Sequence, residues 1–181
     1  MRIIGGKHRG RKLAEFTVSG IRPTSDRAKE SLFNILSFKI VGAKVLDLFC
    51  GSGSLGLESI SRGAAHVHFN DLSKESLAVL KKNVAAIGEG DKCGVSESDY
   101  LNYLNRTQDK FDIIFIDPPY AMEYGVPALE TIAKRGLLSG DGVAVYERDR
   151  SFDGEIEGLE KYDERKYGKA YLTFFRYSEV K

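Results

Sequence analysis

Between residues 44 and 147, five short β-rich apolar runs alternate with segments of helical character, and this rhythm restricts the possible folds more than any single motif does. The runs are residues 44–48, 67–70, 93–97, 111–116 and 143–147. Between them lie 55–62, 74–87, 100–105 and 126–135, which suit crossover helices. Parallel neighbours need such long connections, so the alternation predicts an α/β fold: a doubly wound, mostly parallel sheet with helices on both faces. Two last extended runs, 162–167 and 170–177, have no helical segment between them and meet at Gly168. They are expected to pair as an antiparallel hairpin at one edge, completing seven strands.

The chain changes character near residue 42, which divides it into an N-terminal extension, 1–41, and a main domain, 42–181. Residues 1–16 read as two short extended pieces around Gly5-Gly6 and Gly10. A helix is predicted from residue 25, with Ala28, Leu32, Ile35 and Leu36 at helical spacing and Thr24 or Ser25 as caps. Of 181 residues, 42% are hydrophobic, enough for the core of one domain. No stretch has the 18 or so uncharged apolar residues of a membrane span, and the start lacks a signal-peptide segment. A cytoplasmic monomer with no membrane association is expected. Cys50, Cys93 and three scattered histidines form no recognisable ligand spacing, so no metal site is expected.

Charge is unevenly spread. Residues 1–30 carry eight basic and three acidic side chains, while the rest of the chain carries 19 basic and 23 acidic. A basic arm on a mildly acidic body suits a polyanion, because each Lys or Arg set against a phosphate releases a counterion. A solvated tail has the same composition. The candidate contacts are Arg2, Lys7, Arg9, Arg11, Lys12 and Arg22.

In a doubly wound sheet, ligands bind outside the carboxyl ends of the strands, and the chemically suggestive residues lie at those ends. After the first run comes Gly51-x-Gly53-x-x-Gly56, entering a helix, with Asp71 twenty residues past Gly51 and placed to accept from ribose hydroxyls. By itself this is also a dinucleotide fingerprint. Asp47, however, would repel a pyrophosphate and attract the cationic end of S-adenosylmethionine. Asp99 either accepts from an adenine amino group or caps the following helix. The fourth run ends in Asp117-Pro118-Pro119-Tyr120. Prolines stiffen this turn and leave its carbonyls free, so Asp117 and the Pro118 carbonyl can both face one exocyclic amine while Tyr120 stacks on its ring. Glu147, closing the fifth run, braces the site or pairs with a basic side chain.

The opening Met1-Arg2-Ile3-Ile4-Gly5-Gly6-Lys7-His8-Arg9-Gly10-Arg11-Lys12-Leu13 resembles the start of the RsmD family, the bacterial small-subunit (16S) rRNA guanine-N2 methyltransferases. Arg22-Pro23-Thr24-Ser25-Asp26-Arg27, with 30–36, is similar to that family's second signature, and residues 47–58, Asn83 and 117–120 follow in order. The likeness implies a Rossmann-like class I methyltransferase using S-adenosylmethionine on ribosomal RNA, within an assembling small subunit. It implies a cofactor site of Asp47, Phe49, Gly51, Ser52, Gly53, Asp71, Leu72, Asp99, Tyr100 and Asp117. Asp117, Pro118 and Tyr120 would be catalytic, with Pro119 and Tyr120 also touching RNA. Two departures stand out: the family's usual glutamate after the second strand is Asp71, and Tyr167-Gly168-Lys169-Ala170 replaces an Asp-Thr pair after the glycine. Competing readings are an adenine-N6 methyltransferase of DNA or RNA, an inactive RNA-binding assembly factor, and a nicotinamide oxidoreductase.

Overall fold

A strand covered on both faces must be apolar throughout, and Val45-Leu46 and Ile113-Ile114-Phe115-Ile116 meet that condition with almost no exposure. In the computed structural model, which describes residues 1–16 and 24–179, these segments form the centre of one seven-stranded sheet. Its strands are β1 (Lys44–Asp47), β2 (His66–Asp71), β3 (Cys93–Glu97), β4 (Phe111–Ile116), β5 (Leu138–Arg148), β6 (Leu159–Tyr167) and β7 (Ala170–Tyr177). Their order is β3-β2-β1-β4-β5-β7-β6. The first five strands are parallel, and β7 runs antiparallel to both β5 and β6.

Among the described residues, six α-helices flank the sheet: α1 (Asp26–Ile35), α2 (Ser37–Ile40), α3 (Ser54–Ser61), α4 (Lys74–Ile87), α5 (Tyr100–Arg106) and α6 (Gly125–Arg135). Side chains alternate across a strand. Val45, Val67, Ile113 and Val145 therefore share one core with Leu32 and Phe33 of α1, Leu57 of α3 and Leu80 of α4. Leu46, Ile114, Ile116 and Ala144 share the other with Leu104 of α5 and Leu129 and Ile132 of α6. Each of these Val, Leu, Ile and Phe side chains contributes about 1.5–3 kcal/mol on burial. Ser25 caps α1 by accepting from the Ala28 N–H, and Ser73 caps α4 by accepting from that of Ser76.

The predicted runs and the observed strands differ chiefly at β5, which starts at Leu138 rather than 143. Ser139-Gly140-Asp141-Gly142 reads locally as a turn. In the structure these residues bulge out of the strand: β4 pairs with β5 at Phe111–Leu138 and again at Ile113–Val143, and 139–142 lie unpaired by β4 between the two. The strand β6 likewise starts three residues early, at Leu159, and the single turn of α2 had no periodic signal.

The basic N-terminal segment is tied to the body. Arg2 and Lys12 form an antiparallel bridge, and Ile3 and Leu13 join the same core as α3 and α4. Glu58 of α3, 0% exposed, accepts from the N–H groups of Ile4 and Gly5, each at 2.9 Å. It also holds Arg62 Nε at 2.8 Å and Lys29 Nζ at 3.5 Å. A second carboxylate, Glu89, gathers Lys7 Nζ at 2.7 Å, His8 Nε2 at 2.8 Å and Lys92 Nζ at 2.9 Å. These contacts, the Lys7 bond first, hold its acid down to about 2. At Gly6 (φ 78°) a Cβ would stand 1.9 Å from the Ser61 carbonyl oxygen, so only glycine fits. Among the described residues, no helix is long and apolar enough to cross a membrane.

Candidate active site

Strand order reverses between β1 and β4, and the crevice beyond their carboxyl ends is where a ligand fits in such sheets. Four strands deliver an acid there: Asp47 from β1, Asp71 from β2, Asp117 just past β4 and Glu147 near the end of β5.

On the β1–β2 side, Asp47 is 2% exposed and accepts one backbone bond, from the Gly56 N–H at 2.9 Å. Burial raises its carboxyl to about 7, against the pull of that bond, with Asp71 adding to the rise. Asp71 is gripped by the chain: Oδ2 accepts from Gly51 N–H at 2.8 Å and Oδ1 from Ser73 N–H at 2.9 Å. Leu72 beside it is exposed. The three glycines divide by role. A Cβ on Gly56 would lie 2.1 Å from the Phe69 ring, and one on Gly53 (φ 94°) would lie 2.4 Å from Leu80. Gly51 (φ 53°) faces open space, so it alone borders the crevice freely.

Asp99 caps α5 through Oδ1, accepting from Leu101 and Asn102 N–H at 3.0 and 3.1 Å. Tyr100 is buried against Phe49 and Tyr124, with ring centroids 5.1 and 4.8 Å away. Tyr124, one residue before α6, escaped the sequence reading because no local pattern marks it as part of this aromatic wall. Asn83 had no role assigned from sequence either. It exchanges two 2.9 Å bonds with the Ala14 backbone and donates to the Ser52 carbonyl at 3.0 Å. The Ser52 hydroxyl accepts from Phe16 N–H at 2.9 Å, so the basic segment and the glycine loop are joined. Burial pushes the Cys50 thiol well above its ordinary range, which leaves it unsuited to nucleophilic attack.

On the β4–β5 side, Ile116 pairs with Tyr146, so the next residues on the two strands, Asp117 and Glu147, emerge side by side. Burial holds the Asp117 carboxyl well above the usual range, and the charges of Glu147 and then Asp47 push it further. Glu147, 4% exposed, is also raised by burial, while two hydroxyls oppose the rise. These are Thr24 Oγ1, donating to Oε2 at 3.0 Å, and the Tyr120 phenol, donating to Oε1 at 3.1 Å. Of the two roles left open for Glu147, the described partners are hydroxyls rather than a basic side chain. Tyr120 keeps 38% of its surface exposed beside exposed Pro119 and buried Pro118. A cavity of about 340 Å³ opens here, lined in part by Pro118, Pro119, Tyr120, Met122, Tyr146 and Glu147. That volume is within the range of small-ligand sites.

The basic side chains differ in their freedom. Arg2 pairs with Asp26 at 2.8 Å, Lys7 with Glu89, and Arg11 donates to the Ala86 carbonyl. Arg9 and Lys12 are exposed, and Arg22 lies outside the described residues. Among the described residues, no group of three His, Cys, Asp or Glu side chains is arranged to hold a metal ion.

The family model described as "Conserved hypothetical protein 95" matches residues 1–176. The Haemophilus influenzae protein named ribosomal RNA small subunit methyltransferase D is 36% identical over 157 residues, spanning 83% of this chain and 79% of its own. The Escherichia coli protein of that name is 36% identical over 149 residues, 82% of this chain and 75% of its own. Among solved structures, Escherichia coli yhhF superposes with a TM-score of 0.89 at 31% identity, covering 99% of both chains. Sequence over nearly the whole length and fold therefore agree: the chain belongs to the RsmD family of methyltransferases.

Proposed function

We propose that the protein transfers the methyl group of S-adenosylmethionine to the exocyclic N2 amine of a guanine in small-subunit rRNA. The observation that carries this reading is the Asp117-Pro118 turn. It places a half-buried carboxylate, with no donor among the described residues, directly before Pro118, which lines the cavity together with Tyr120 and Glu147. The relatives' names supply the substrate class.

The residues present fit the cofactor. Burial first, and then the charge of neighbouring carboxylates, raises the proton affinity of Asp47 and Asp117, and a cationic ligand relieves that cost. Asp71 would take the ribose hydroxyls, Asp99 the adenine amine, and Asp47 the cationic end, with Phe49, Gly51, Ser52, Gly53, Leu72 and Tyr100 shaping the walls. When bound, S-adenosylmethionine supplies an electrophilic methyl group. The protein's task is the amine, a poor nucleophile because its lone pair is delocalised into the ring. Asp117 and the Pro118 carbonyl accept its two N–H bonds, so the nitrogen pyramidalises and directs the lone pair outward. As the N–C bond forms, the surplus proton passes along the existing hydrogen bond to Asp117 and on to water. Tyr120 stacks on the unstacked base, and Pro119 packs beside it. Preorganisation accounts for most of the acceleration, with no covalent enzyme intermediate.

The decisive experiment is sequencing and nucleoside analysis of rRNA from cells lacking the protein. One N2-methylguanosine should be missing, and purified protein with labelled cofactor should restore it. Restoration of N6-methyladenosine instead would overturn the assignment. Independently, converting Arg9, Arg11 and Lys12 to Gln should weaken RNA binding and reduce the slope of log affinity against log salt by about two units, at ~0.7 per phosphate contact on single strands. An unchanged slope removes these side chains from the interface.

A further inference from the structure

We infer that Glu147 reads the N1–H of the target guanine and thereby excludes adenine from the acceptor pocket. The inference rests on the guanine-N2 reading and adds the residue that distinguishes one purine from the other. Guanine presents two neighbouring donors along one edge, the N2 amine and N1–H. The protein presents two neighbouring acceptors: Asp117 and Glu147 leave adjacent parallel strands at matching register, with strands about 4.8 Å apart. Glu147 also lines the cavity that Pro118, Pro119 and Tyr120 border.

A brace for Tyr120 would not need a charge. A neutral side-chain amide accepts a phenolic hydrogen bond as well, without setting a buried anion beside the carboxylate of Asp117. The carboxylate is explained if a ligand brings further donors. Among the described residues, each Glu147 oxygen accepts a single hydroxyl, whereas an ionised carboxylate offers about four acceptor positions, so room remains for an N–H. Burial disfavours the charge on Glu147, and both hydroxyls oppose that effect by donating to the ionised, accepting form. Adenine bound through its amine would instead turn the N1 lone pair toward this carboxylate. Acceptor would face acceptor, a mismatch of the kind by which polar sites reject close analogues.

The test uses the full-length protein and a synthetic RNA spanning the guanine whose methylation disappears in cells lacking it. The target position carries guanine, 2-aminopurine or adenine. 2-Aminopurine keeps the N2 amine but replaces N1–H with a lone pair. Wild-type protein should favour guanine over 2-aminopurine by about 100-fold in kcat/KM and leave adenine unmodified. In Glu147→Gln the amide can donate to that lone pair, so the guanine preference should shrink to within about 10-fold, mostly through loss on guanine. Tyr120→Phe, which removes one donor to Glu147, should slow both substrates and preserve their ratio. Equal use of guanine and 2-aminopurine by the wild type, a measurement independent of any variant's folding, overturns the inference. So does an unchanged ratio in Glu147→Gln. If the wild type places no methyl on guanine N2 either in this RNA or in small subunits from cells lacking the protein, the parent reading fails, a result separable from either of these.

Discussion

Asp117→Ala should lower the rate of methyl transfer by about 10³-fold while changing cofactor affinity only a few-fold. Losing a positioned acceptor and proton carrier costs about 10²–10⁴ in rate. The cofactor loop, by contrast, is held by contacts that do not involve residue 117: Asp71 on Gly51, Asp47 on Gly56 and Asn83 on Ser52. Single-turnover kinetics and calorimetric titration separate the two effects, and equal losses in both would remove Asp117 from the acceptor side. The variant should also fold well. The native carboxyl of Asp117 is raised by burial and then by Glu147, so the folded state binds its proton more tightly than the unfolded chain. Its contribution to stability is therefore present below the unfolded value of about 4 and lost as pH rises toward the native one. Above neutrality Asp117→Ala should melt at or above the wild-type temperature, with the difference vanishing in acid. Wild-type activity should follow the opposite trend, falling on acidification with a midpoint well above the usual carboxylate range, because only the ionised form accepts both bond and proton.

Glu58→Ala should cost about 3–5 kcal/mol, the range for removing one partner from a buried ion pair. For a chain of this size that corresponds to a drop of roughly 10 °C in Tm. Lys29, 2% exposed, would lose its counter-charge, and the N–H groups of Ile4 and Gly5 would lose their acceptors. The first 12 residues should loosen in consequence. Trypsin cleavage at Lys7, Arg9 and Arg11 should accelerate, and RNA affinity should fall although Glu58 is fully buried. A change below about 1 kcal/mol would show that the segment is anchored mainly by Ile3, Leu13 and the Glu89 cluster.

Asp117 and Glu147 show the division between local and distant information. That each sits at a strand's end is visible in the chain, because the apolar run 111–116 is followed at once by Asp117 and the run 143–147 ends in Glu147. That they stand together follows only from the pairing of Ile116 with Tyr146. The hydroxyl that Glu147 accepts from Thr24 comes from 123 residues away, and the Lys7–Glu89 pair spans 82. No periodicity encodes such distances. The glycine loop is similar: its spacing announces a tight turn into a helix, but the roles of Gly51 and Gly53 separate only once Leu80 of α4 packs against the second.

The sequence alone determined the order and kind of nearly every element, the edge hairpin and the strand ends that carry acids, because those depend on side-chain periods of 2 and 3.6 and on turn residues read over a few positions. The tertiary structure alone decided the bulge that lengthens β5, the docking of the basic segment onto Glu58 and Glu89, the Asn83 clamp and the juxtaposed carboxylates. Each of these is a pairing of groups remote in the chain, selected by burial and by the cost of leaving a buried polar atom without a partner.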